Sequence, residues 1–212
     1  MQPSKTILYI DGENFLFGMT DALRRAKRIK HKSEITALNF GPLKDALAAY
    51  QPTEIRYYTA KASVYDESPE LQEESETLVA TQKQLMSALQ AQGIEFIMSG
   101  HMRLREVVRD KQGRVTGGVF REKSTDVRIA VDMVAAAADK ELGTALILSS
   151  DSDMQPAIAE LKRRQVKVVY VGFDRLPNIG LRRSTDATIL LKRDQVTAMW
   201  DGREMTTVAS RS

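Results

Sequence analysis

The 212-residue sequence contains no cysteine. Disulfide frameworks and thiolate metal sites are therefore excluded, and a reducing, cytoplasmic setting is the expectation. Histidine is nearly missing as well. His31 and His101 stand alone without metal-ligand spacing, which disfavours imidazole-based metal binding or base catalysis. Aromatic residues make up only 6% of the chain, too few for an evident stacking platform. No apolar run approaches the ~20 residues of a membrane span, and the start, MQPSKTILYIDGE, does not read as a signal peptide. Neither GxGxxG, nor GxxxxGK[ST], nor GxSxG occurs, so dinucleotide, P-loop and serine-hydrolase readings lose their main support.

What is present is ordinary in bulk and uneven in distribution. Hydrophobic residues are 42%, charged residues 28%, and the net charge is +3. Six lysines and arginines crowd into RRAKRIKHK (24–32), and six acids into DESPELQEESE (66–76). The basic run is either a phosphate-attracting patch or a solvated helix face.

Strand-like and helix-like segments alternate. TILYI (6–10) is apolar without polar interruption, as a strand buried on both faces reads. Helices are predicted over 13–29, from Gly41-Pro42 to Tyr50, and over 69–92 with Gly93 as C-cap. EIRYYTA (54–60), IEFIM (94–98), TALILSS (144–150) and VKVVYVGF (166–173) read as strands. Residues 127–139 form a helix apolar nearly all round, hence expected to be central, and 154–164 another helix. Residues 101–121 alternate charge with apolar residues around DKQG, the pattern of a hairpin excursion. LRRSTDA suggests a last helical turn and TILL a last strand. From Arg193 the chain looks polar and aperiodic, so 193–212 is expected to be a tail. The alternation implies an α/β fold with a mainly parallel sheet and helices on both faces.

In such sheets ligands sit at the carboxyl ends of the strands. Asp11 follows the first strand directly, and Asp151 and Asp153 follow TALILSS. Asp126 joins them if its helix begins at the same rim. Converging carboxylates repel, and a hard divalent cation, Mg²⁺ or Mn²⁺, relieves the repulsion. Simpler readings stand beside this one. Asp151, Ser152 or Asp153 can cap a helix, as can Ser124, Thr125 or Asp126; Asp11 can turn the chain with Gly12. Asn14 either orients Asp11 or sits in a helical first turn. Lys123 either faces a phosphate or solvent. Asp132 lies ~9 Å along the helix from Asp126 and ~120° around it, which points to a structural partner such as a backbone N–H or Arg128.

The motifs ILYIDGENF, EKSTDVRIAVDMV and ALILSSDSDMQPAIAELKRRQVKVVYVGF together resemble the NYN domain, a branch of the PIN-like ribonucleases. LRRSTDATILL extends the resemblance, which covers 5–191. It implies a three-layer α/β/α sandwich across 1–192 and a Mg²⁺- or Mn²⁺-binding cleft that cuts RNA. Asp11, Asp126, Asp151 and Asp153 would bind the metal and carry catalysis. Asn14 and Lys123 match auxiliary positions, and Asp132 matches a recurrent acid whose role is unsettled. Ser150 and Ser152 flank the acids as supporting residues, with Asp132 beside them. Arg103, Arg105 and Arg121, with Lys123, are the candidate contacts to RNA, expected to be single-stranded; Arg182 and Arg183 are weaker candidates. No membrane partner is expected, and self-association is left open. Two alternatives remain: a non-catalytic RNA- or protein-binding module, and a phosphatase with Asp11 as nucleophile. The second is disfavoured by Glu13, where that chemistry commonly has a second aspartate.

Overall fold

The computed structural model describes residues 4–30, 32–35 and 38–200. His31 and residues 201–212 lie outside them. Seven strands form one sheet: β1 (Lys5–Asp11), β2 (Glu54–Lys61), β3 (Glu95–Arg109), β4 (Val115–Lys123), β5 (Leu142–Leu148), β6 (Lys167–Phe173) and β7 (Ala187–Leu191). Their order is β4-β3-β2-β1-β5-β6-β7. Every neighbouring pair is parallel except β3–β4, the predicted hairpin. The hairpin grows out of the third strand itself, since β3 runs unbroken from the sheet into the excursion.

The central strands show why the sheet is covered on both sides. In β1, Leu8 and Ile10 enter one core, while Ile7 and Tyr9 enter the other. β5 and β6 divide in the same way, with Leu146, Leu148, Val169 and Val171 opposed by Ala145, Ile147, Val168 and Tyr170. Side chains alternate with period two, so a fully apolar run feeds two cores at once. On the first face lie α1 (Gly12–Arg25), α2 (Gly41–Ala46), α3 (Pro69–Gln90) and α7 (Arg193–Ala198). On the second lie α4 (Thr125–Ala138), α5 (Gln155–Arg163) and α6 (Ile179–Ser184). This is the three-layer α/β/α sandwich that the sequence predicts.

Two expectations are corrected. Helix α4 is not central: Ile129 and Met133 are buried, but Val127 and Val131 are more than half exposed. Its apolar periodicity is real, but the sheet covers only one side of the helix. Residues 193–200 are not a loose tail. They form α7 and its C-terminal turn, with Val196 and Met199 buried in the first core and the Trp200 indole donating to the Glu34 carbonyl at 3.3 Å. Three apolar side chains at i, i+3 and i+4 anchor a segment that looks polar on average.

Candidate metal and nucleic-acid cleft

Strand order reverses at β1. The chain first adds β2 and β3 on one side, then β5, β6 and β7 on the other. The β1/β5 boundary is the topological switch point, and its carboxyl end opens a crevice. A cleft of about 870 Å³ lies there. Its walls include Asp11 from the end of β1, Asp126 from the first turn of α4, and Asp151 and Asp153 from the turn after β5.

Asp11 is held most firmly. It is 6% exposed. Its Oδ1 accepts from the Asn14 backbone N–H at 3.1 Å, which makes it the N-cap of α1. Its Oδ2 accepts from the Asn14 amide at 2.6 Å and from the Ser149 hydroxyl at 3.2 Å. Burial raises the Asp11 pKa from its ordinary value, against the pull of those three hydrogen bonds. The helix can begin so close to the strand because residue 12 is glycine. A Cβ there would lie 2.6 Å from the Tyr58 carbonyl oxygen and 2.7 Å from the Tyr57 ring.

The turn after β5 is wired to the same group. Ser149 Oγ also accepts from the Asp151 N–H at 3.1 Å, and Asp151 Oδ1 accepts from the Asp153 N–H at 2.9 Å. Ser150 donates to the Asn14 side-chain oxygen, and Asn178 donates to the Ser150 carbonyl at 2.7 Å. Asn14 thus ties the end of β1 to the end of β5. Asp151 is both a cap, as the simpler reading expected, and part of the cleft wall.

Further residues belong here, two of them, Arg24 and Lys32, from the basic run 24–32 that the sequence offers as a phosphate-attracting patch. Ser149 links Asp11 to Asp151. Glu13 and Glu122 line the cleft, with Arg24, Lys32 and Asp21. Glu122 Oε1 is buried without a hydrogen-bond partner. Burial pushes the Glu122 carboxyl up to about 7; a Thr125 hydrogen bond opposes this, and the charges of Glu13 and Asp11 add to it. Glu122 sits in the charged run REK, and only the β3–β4 register, which pairs it with Met102, turns it away from its neighbours.

Other candidates lie elsewhere. Asp132 is outside the cleft, bonded to the Tyr58 hydroxyl at 3.1 Å and to Arg128 Nε at 2.7 Å. It therefore supports the α4–β2 contact and not the acids. Ser152 is exposed at the start of the 3₁₀ turn Ser152–Met154, and it does not line the cleft. Of the basic candidates, Arg121 lines the cleft, whereas Arg103, Arg105 and Lys123 stand on the hairpin outside it. Arg182 and Arg183 end α6, also outside.

The donors suit a hard cation in kind. Seven carboxylates (Asp11, Glu13, Asp21, Glu122, Asp126, Asp151, Asp153) line the cleft against three cations (Arg24, Lys32, Arg121). The Glu122 Oε1 among them is buried without a partner, and burial favours its neutral form. Among the described residues, however, no three Asp, Glu or His side chains are placed to hold a metal ion as they stand.

The chain is a mainly parallel α/β/α sandwich with an acidic crevice at its switch point. The NYN domain model matches residues 5–192, and the chain belongs to the NYN domain family. The fold is similar to the crystal structure of a protein of unknown function from Vibrio parahaemolyticus, at 18% identity and a TM-score of 0.51, over 90% of this chain and 96% of that one. No curated protein matches the chain.

Proposed function

We propose that the protein is a metal-dependent ribonuclease that hydrolyses RNA phosphodiester bonds in this cleft. The observation that carries the reading is that Asp11, Asp126, Asp151 and Asp153, from three distant chain segments, all line one switch-point crevice in a chain of the NYN family. These four would hold Mg²⁺ or Mn²⁺, hard cations that carboxylate oxygens suit. A bound ion supplies polarisation of a phosphoryl oxygen and a water of lowered pKa.

The chain's own residues do the rest. Asn14 and Ser149 fix the Asp11 carboxylate in one orientation before substrate arrives. Arg121 on one wall and Arg24 and Lys32 on the other hold the phosphates flanking the scissile one. Water attacks phosphorus in line with the 3′ oxygen; the P–O3′ bond breaks, leaving a 3′-hydroxyl and a 5′-phosphate.

The test is cleavage of a mixed RNA pool titrated with Mg²⁺ and Mn²⁺. Asp11→Asn and Asp151→Asn are each expected to lower metal-stimulated cleavage by at least a hundredfold. Asparagine is also a good N-cap, so Asp11→Asn should keep the fold, checked by circular dichroism. Undiminished cleavage in both variants would refute the proposal. The absence of three converging acids favours one second reading, a non-catalytic binding module with a residual acidic cleft. Metal-independent RNA binding without turnover on any RNA would select it.

A further inference from the structure

We infer that the uncovered face of the β3–β4 ribbon is a track that delivers single-stranded RNA to the cleft. The inference rests on the reading that the cleft acts on RNA. One face of the ribbon is packed: Leu104, Gly118 and Phe120 lie towards α3, where Leu71 and Tyr65 meet them. The other face is open. Register places His101 opposite Lys123 and Arg103 opposite Arg121, so all four share that face, and all four are exposed. Arg105, at the bulge between Leu104 and Glu106, is exposed as well.

Like charges directly opposite each other are unfavourable in a sheet. Arg103 and Arg121 nevertheless face each other, and among the described residues neither they nor Arg105 nor Lys123 makes an ion pair. The basic residues at the ribbon's tip are different: Arg114 is paired with Asp110 at 2.8 Å. The unpaired cations form rungs ~5 Å across and ~7 Å apart along the strands. Beyond them on the same face lie Val119 and Val108, 44% and 41% exposed, and Glu106 ends the cationic run. Cations followed by exposed aliphatic surface suit a chain of phosphates that carries bases.

Arg121 belongs to both the ribbon and the cleft wall, so the track reaches the cleft at that residue. Arg24 and Lys32 continue it on the far wall. A single strand fits this path better than a duplex. The deep, narrow major groove of duplex RNA admits no side chains, whereas a single strand can lay its phosphates on the rungs and its bases on the valines. Such contacts give length dependence without sequence preference.

The test is binding of a fluorescein-labelled 20-nucleotide single strand, followed by anisotropy in EDTA from 50 to 300 mM KCl. The variant is Arg103→Ala/Arg105→Ala/Lys123→Ala, all exposed positions, with Arg103→Glu alone as a second variant should the triple not fold. The triple variant should bind at least tenfold more weakly at 100 mM KCl, and its slope of log K against log salt should be shallower by about 2, three contacts at ~0.7 each. An unchanged slope and affinity would overturn the track, as would an equal loss on duplex RNA or binding to an acidic peptide in place of RNA. The readout needs no turnover. If the wild type cleaves nothing but the slope shifts, the nuclease reading falls and the track stands; if it cleaves and the slope is constant, the reverse holds.

Discussion

Glu122 shows at the residue scale how a site can hide in a charged run. Burial pushes its carboxyl up from an ordinary value of 4.5 to about 7. Between those values the folded state binds more protons than the unfolded one, so stability is lost as pH rises through the window. Metal-free protein is therefore expected to lose roughly 1–2 kcal/mol between pH 5 and pH 8 from this group, a figure discounted for partial exposure. Glu122→Gln should flatten that decline and melt higher than wild type at pH 8 in EDTA; a steeper decline in the variant would contradict the assignment. Asp11, Asp151 and Asp153 were legible because each follows an apolar run that had to be a strand. Ser149 and Glu122 were not. Which way a side chain faces at a strand's end, or across a hairpin, depends on a register that composition does not carry.

Elements were legible where their periodicity was pure. TILYI reads as a strand covered on both faces and VKVVYVGF as a strand, as both are; in the structure Ser68 caps α3, accepting from the Leu71 N–H, with Pro69 in its first turn. Helix α7 was missed because Val196, Met199 and Trp200 are few among polar neighbours. Their burial makes α7 structural. Truncation after Lys192 should remove two fully buried side chains, each contributing roughly 1.5–3 kcal/mol. A loss of about 3–5 kcal/mol in urea unfolding is expected, and an unchanged midpoint would show that α7 is dispensable. At the other end of the same core, Gly12→Ala would drive a methyl into the Tyr58 carbonyl. That should cost about 2 kcal/mol or more and displace the Asp11 carboxylate with it. Helix α4 carries the converse lesson: an apolar surround was taken for burial, but one sheet covers only one side.

At the scale of the whole molecule, the sheet order explains why four acids spread over 143 positions of sequence, from 11 to 153, line one cleft. Parallel strands put their carboxyl ends on one rim, and the reversal at β1 parts the helices above it. That logic was readable from the alternation of strands and helices, and so was the shared rim; the tighter convergence expected of the acids is not met, since among the described residues no three are placed to hold an ion as they stand. The folded cleft therefore carries excess negative charge that the unfolded chain disperses. A ligand that binds only the folded state stabilises by RT ln(1 + [L]/Kd). Manganese at a hundredfold over its Kd should thus add about 2.7 kcal/mol and raise Tm by several degrees, more at pH 8 than at pH 5 because protons compete for the same carboxylates. Asp151→Asn should abolish most of that rise while leaving the metal-free Tm near wild type, since asparagine can still cap the turn. Equal shifts in wild type and variant would mean that the ion binds elsewhere, and the acidic rim would then be a structural inheritance with no cation to hold.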